Sequence, residues 1–193
     1  MKNYKKNFEI LKKNYVYSEE MEHDACGVGL IASTEGKKSR KVVEYGIEAL
    51  KAVWHRGAVD ADGKTGDGAG IHVEIPKDFF IEKIEVTGHS YDNSEICVGM
   101  IFLPRNDYAA QENCKTIVES ELTKNNFSIY GWRQVPVNPK VLGEKAFQTM
   151  PEIIQVLFKS NNPELLNKDL ERKIYETRRI IENKAFQISL NNF

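Results

Sequence analysis

Cys26 opens the run Cys26-Gly27-Val28-Gly29-Leu30-Ile31-Ala32, and its neighbours are unusual for a core cysteine. Val28, Leu30 and Ile31 suit a buried strand. Gly27 and Gly29 lack a Cβ, so another group can approach the backbone beside the sulfur. The combination describes a thiol at a strand end with room for a substrate, which is the setting of a nucleophile. It competes with a plainer reading, that Cys26 is a small buried hydrophobe, as most free cysteines are. A second stretch rich in reactive residue types lies about thirty residues on. His55-Arg56-Gly57 leads into a loop of small and acidic residues that runs from Ala58 through Asp60, Asp62, Gly63, Lys64, Thr65, Gly66, Asp67 and Gly68 to Gly70. His55 with Cys26 would make a thiol–imidazole pair. At a helix end, however, a histidine serves more simply as a cationic cap.

Gly63-Lys64-Thr65 invites a phosphate-binding reading, because it resembles the end of a P-loop. The register fails, since Ala58 stands where the first glycine is needed. Asp60 and Asp62 would bring negative charge into the cradle, and the flanking pattern is helix then strand rather than strand then helix. Asp62 and Asp67, as candidate metal ligands, do not make a calcium loop, which needs oxygens at alternate positions and a closing glutamate. The three cysteines, Cys26, Cys97 and Cys114, contain no C-x-x-C pair, which argues against a metal site or a disulfide framework. A reducing, cytoplasmic compartment follows as the expectation.

The elements that must position these groups can be read from periodicity. Val43, Ile47, Leu50 and Trp54 recur on one helical face, predicting a helix over 40–54 that ends at His55-Arg56-Gly57. Ile71, Val73 and Ile75 alternate with polar residues, predicting a strand that Pro76 ends. Residues 79–86 fit a short helix and an irregular stretch equally well, and 87–94 read as loop. Strands are predicted over 96–103, over 127–137 with Gly131 as a bulge, and over 153–158. Helices are predicted over 107–124 and over 165–183, with Leu170, Ile174, Thr177 and Ile181 on one face of the latter. Residues 140–149 read as a loop or short helix. Phe186 to Leu190 reads as the start of another strand. Cys97 in a strand and Cys114 on a helix's apolar side are both expected in the core. This mixed order fits an α+β layered fold at least as well as a parallel doubly wound sheet. A domain rarely stops as a strand begins, so the sequence is expected to be cut short.

Composition narrows the class. The chain has 193 residues, 41% of them apolar and 28% charged, with a formal net charge of -1. Those values fit one soluble domain and offer no basic field for nucleic acid. No apolar stretch approaches the roughly 20 residues of a membrane helix. Residues 1–25 are rich in lysine and asparagine, then acidic, and lack the apolar core of a secretory signal. They are either a frayed terminus or a leader whose removal makes Cys26 the first residue.

Taken together, the Cys26–Ala32 run, His55-Arg56-Gly57-Ala58 and the Asp62–Gly70 loop resemble the class II glutamine amidotransferases. Val98–Pro104, Gly131–Asn138, Leu142-Gly143-Glu144 and Arg178–Glu182 are similar to the amino-terminal glutaminase domain of glutamate synthase large chains. The resemblance implies an N-terminal-nucleophile hydrolase fold, an αββα sandwich, incomplete here, with residues 1–25 a leader and 26–193 the first part of the domain. It implies that the Cys26 thiolate attacks the side-chain amide of L-glutamine and releases ammonia. Arg56 and Gly27 would support the nucleophile. His55, Gly57, Asp67 and Gly68 would belong to a structural loop beside it. No cofactor or metal is implied for this stretch. Flavin mononucleotide and an iron–sulfur cluster would reside in the synthase region, which with a small subunit would be the partner. The family's later arginine, asparagine–glycine and aspartate motifs have no counterpart here. The isolated chain is therefore expected to be inactive. A non-catalytic remnant or split subunit that binds a synthase partner is the alternative.

Overall fold

The computed structural model describes residues 10, 27–53, 57, 59–66 and 68–187. They fall into two compact units, Met1–Ala52 and Val53–Phe193.

In the first unit a segment without regular structure over 27–33 leads through a turn into helix α1, Arg40–Ala52. Gly36 makes the turn possible. Its φ is +64°, a left-handed value that side chains disfavour, and its N–H donates to the Ser33 carbonyl at 3.2 Å. The Ser39 hydroxyl accepts the Lys41 N–H at 3.2 Å, occupying an amide that the first turn leaves free. Val43, Ile47 and Leu50 are half-buried along one face, as their spacing predicts. The strand expected at Val28–Ile31 does not form. Val28 and Leu30 are 96% and 89% exposed, and no described residue pairs with the segment. A strand exists only with a neighbour to take its N–H and C=O groups, so apolar composition alone does not make one here.

The second unit is built on a three-stranded antiparallel sheet. Its strands are β1 (Cys97–Leu103), β2 (Phe127–Gln134) and β3 (Glu152–Ser160), in the order β1-β3-β2. The central strand is buried from Ile154 through Phe158, with Gln155 the one polar residue in that run. Val156 and Phe158 face one layer and Leu157 the other. The helices are α2 (Lys77–Val86), α3 (Tyr108–Lys124), α4 (Glu144–Thr149) and α5 (Asn167–Gln187), with a 3₁₀ turn at Pro139–Val141. Val118 and Leu122 of α3 and Leu170 of α5 pack with Cys97, Phe127, Val156 and Phe158 on one face. Phe80 and Ile84 of α2 pack with Ile96, Tyr130 and Leu157 on the other. Helices alternate with strands along the chain, but every strand pair is antiparallel, which fits an α+β fold rather than a parallel doubly wound one.

The bulge expected at Gly131 is present as a register shift between Ile129 and Gly131. Its cause is local. Gly131 has φ +146°, and a Cβ there would lie 2.8 Å from Thr87 Cγ2, at the end of α2. The Thr87 hydroxyl lies 2.7 Å from the Tyr130 carbonyl oxygen and binds the bulged strand to that helix. Two predicted strands are corrected. Ile71–Ile75 forms no strand and is exposed. Phe186 is helical, because α5 continues its buried stripe from Thr177 through Ile181 to Ala185, one turn past the predicted end. Lys184, in that added turn, reaches Glu121 of α3 at 2.6 Å. The strand over 127–137 is shorter than predicted: β2 ends at Gln134, two residues before Pro136, which has no N–H to donate.

Candidate functional site

The predicted residues Cys26, His55, Arg56 and Asp67 lie outside the described residues. Of the others, Gly27 is exposed at the start of the 27–33 segment of the first unit. Gly57 and Gly68 are exposed in the second, on either side of the loop that the sequence singles out. What the structure describes in detail is that loop.

Residues 59–66 form a small hairpin. Val59 and Gly66 pair as an antiparallel bridge, and the Asp60 N–H donates to the Thr65 carbonyl at 2.7 Å. The tip turns on Gly63, whose φ is +69° and whose N–H reaches the Asp60 carbonyl at 2.9 Å. Asp62 organises the return strand. Its Oδ1 accepts the Lys64 N–H at 2.9 Å and the Thr65 N–H at 2.7 Å, and its Oδ2 accepts the Thr65 hydroxyl at 2.5 Å. The Thr65 hydroxyl, followed by the Lys64 and Thr65 amides, holds the Asp62 carboxyl well below the usual carboxylate range. This disposes of the phosphate reading. The Lys64 and Thr65 N–H groups, which a phosphate cradle would need, are donated to a carboxylate that repels phosphate, and no helix follows.

The hairpin is seated on α4. Gly143, at the N-cap of that helix, is buried and has no side chain to cap it. A Cβ at Gly143 would overlap Thr65 Oγ1 and Asp62 Oδ2. The Ala146 N–H points to Thr65 Oγ1 at 3.4 Å. The hairpin therefore supplies, from about eighty residues away, the cap that α4 lacks. Lys145 Nζ binds Asp60 Oδ2 at 2.6 Å, and the Arg105 guanidinium lies 4.6 Å from the Phe147 ring centroid, tying α4 to the end of β1. Sequence reasoning marked both stretches, Asp62–Thr65 and Leu142–Glu144, but did not join them. The available signals were an aspartate three residues before a threonine and a helix start with no capping side chain.

The other two thiols are ill-suited to catalysis. Burial pushes Cys97 up to about 12 and Cys114 up to about 11. A thiol so raised is almost wholly protonated at neutral pH, and the thiolate is the nucleophile. Among the described residues no group of three or more His, Cys, Asp or Glu is placed to hold a metal ion, and no helix is long and apolar enough to cross a membrane.

Comparison with known proteins decides the family. The family model for class II glutamine amidotransferases matches residues 26–192. The chain belongs to the class II glutamine amidotransferases. Within that family it is similar to glutamate synthases. It is 50% identical over 190 residues to the NADPH glutamate synthase large chain of Azospirillum brasilense, a match covering 98% of this chain and 12% of that protein. It is 38% identical over 179 residues to the chloroplastic ferredoxin-dependent glutamate synthase 2 of Arabidopsis thaliana, covering 91% of this chain and 11% of the relative. It is 34% identical over 198 residues to the NADH glutamate synthase of Saccharomyces cerevisiae, covering 95% and 9%. The chain thus spans about a tenth of the length of these relatives.

Proposed function

We propose that residues 26–193 are the first part of a glutaminase domain that supplies ammonia for glutamate synthesis, with Cys26 as its nucleophile. One observation carries this reading: the family match begins at Cys26 itself, the residue that sequence reasoning makes the first of the working domain. Residues 1–25 are then a leader. Its removal turns the Cys26 nitrogen from an amide into an amine of pKa roughly 7.7 to 8.0, basic enough to take the thiol proton. The thiolate adds to the glutamine δ-carbonyl carbon and the carbonyl becomes an oxyanion. As it collapses, the C–N bond breaks, the ammonium at Cys26 returns the proton, and ammonia leaves a thioester. Water then cleaves the thioester, releasing glutamate and restoring the thiol.

Arg56 and Gly27 flank the nucleophile in this scheme. The guanidinium orients the cysteine and its terminus, and the missing Cβ admits the amide. His55, Gly57, Asp67 and Gly68 shape the neighbouring loop. The complete fold is an αββα sandwich, with a second sheet besides β1-β3-β2. The hydrolysis needs no cofactor. Its ammonia serves a synthase region carrying flavin mononucleotide and an iron–sulfur cluster, in contact with the rest of the large chain and a small subunit, in the cytoplasm.

The test is expression of the complete gene product, with mass spectrometry of its amino terminus and a glutamine hydrolysis assay. Cleavage before Cys26 with turnover, and loss of turnover in Cys26→Ala, is the expected result. A fully active protein that retains residues 1–25 would overturn the reading.

A further inference from the structure

α2 covers only one end of the sheet face on which it packs. Its Phe80 and Ile84 reach Leu157 and Tyr130. The register places the rest of that face. Met100, Gln155 and Arg133 stand opposite one another across the three strands, and Phe102 stands opposite Ile153. Residues two apart on a strand share a face. Met100, Phe102, Ile153, Gln155 and Arg133 therefore lie on the α2 side, with Leu157. Met100 and Phe102 are 50% and 52% exposed, and Phe79 at the start of α2 is 39% exposed. On the other side of the sheet Val156 and Phe158 are buried with residues of α3 and α5. A contiguous apolar patch of this kind marks a surface that meets another element.

The patch carries a fixed cation. Arg133 Nη1 donates to Oε1 of the buried Gln155 at 2.6 Å, and its guanidinium stands 5.1 Å from the Phe79 ring centroid. Lys83 Nζ stands 5.0 Å from the same centroid. Among the described residues neither cation forms an ion pair with a carboxylate. A guanidinium keeps its charge at any ordinary pH. Covering the patch strips water from it, and a buried charge left without a counter-charge is strongly destabilising. One neutral amide oxygen does not balance it. A second copy of this face, turned onto the first, would bring only the same two cations. The relatives are about ten times as long as this chain, so the same polypeptide has ample length from which to supply an acid.

We propose that the face around Met100, Phe102 and Arg133 receives an apolar segment bearing an Asp or Glu, which pairs with Arg133, and that this segment comes from the part of the gene product that the longer relatives have beyond these 193 residues. The inference goes beyond the sandwich proposed above, which asks only for apolar contact between sheets. None of its residues belongs to the glutaminase site. The fork of the guanidinium suits a bidentate carboxylate, with Gln155 and Phe79 holding it in place.

The test uses the complete gene product. Peroxide oxidation of Met100 is followed by peptide mass spectrometry in the parent and in Arg133→Met, with amide exchange in β3 as the control for global folding. Arg133→Lys is treated with a carbodiimide, which joins an amine to a carboxyl group in direct contact. In the parent, Met100 is expected to oxidise about tenfold or more slowly than free methionine. Arg133→Met should lose most of that protection, because it leaves the acid buried without its counter-charge, while β3 exchanges as in the parent. Arg133→Lys should cross-link position 133 to an Asp or Glu outside residues 1–193. Met100 oxidised at the free rate in the parent, or Arg133→Met as protected as the parent, overturns the proposal. So does the absence of a cross-link, or a cross-link only to residues 1–193 of the same copy or a second one. Each of these results leaves the glutaminase reading standing, since that reading is tested at Cys26.

Discussion

Cys97 and Cys114 make the chemistry of Cys26 measurable. Both are buried, with relative exposures of 4% and 0%, and both thiols are pushed up, to about 12 and about 11. Each pKa unit above the pH is a tenfold loss of thiolate. At pH 7.5 a limited dose of iodoacetamide is therefore expected to modify Cys26 and spare the other two, as read by peptide mass spectrometry. Equal labelling of all three would contradict the burial of the pair. Asp62 provides a second residue-level prediction. Its folded-state pKa is depressed, so the stability it adds is present above the ordinary aspartate value near 3.9 and is lost only as pH falls below it. The Lys64 and Thr65 amides should stay protected from exchange down to about pH 4, and Asp62→Ala should abolish that protection at every pH.

At the scale of the element, Glu121 shows how two helices are joined. It is 4% exposed, yet it accepts from Lys184 of α5 at 2.6 Å and from Lys124 at 3.0 Å. Lys184 first, then Lys124, holds its carboxyl below the usual range, against the opposing effect of burial. Glu121→Gln keeps an acceptor but removes the charge, and is expected to cost about 1.5 to 3 kcal/mol, the worth of hydrogen bonds to a charged group. The sign of the pH dependence follows from a lowered folded-state pKa. The contribution is full above the unfolded value near 4.3 and fades as pH drops through the folded one. Urea unfolding should therefore show parent and variant well apart at pH 7 and converging toward pH 3. The helices on either side of this link were legible in the sequence, because Ala110, Cys114, Val118 and Leu122, and then Leu170, Ile174, Thr177 and Ile181, repeat at helical spacing. The end of α5 was not. Phe186-Gln187-Ile188 has strand composition, and the burial of Ala185 and the pairing of Lys184 with a residue 63 positions away are what hold the helix on.

At the scale of the whole molecule, the sequence announced chemistry more readily than placement. Cys26, its glycines and the Gly66–Gly70 loop could be recognised because residue type and spacing suffice to mark them. The clamp of Asp62 and Thr65 on Gly143 could not, since nothing in either stretch names the other. The segments 27–33 and 71–75 mark the same limit from the opposite side. Their composition predicts strands, yet Val28 and Leu30 are almost wholly exposed and Ile71 and Val73 nearly half so. A Val or Leu left in water forgoes roughly 1.5 to 3 kcal/mol of burial, and backbone outside a sheet gains no ladder hydrogen bonds to offset its ordering. Such segments are held as strands only when a sheet receives them. In this chain the amides of residues 29–32 and 71–75 are therefore expected to exchange close to the rates of an unstructured peptide. Exchange about a hundredfold or more slower, the mark of ladder hydrogen bonds, would return both segments to a sheet while leaving the β1-β3-β2 sheet and its helices intact.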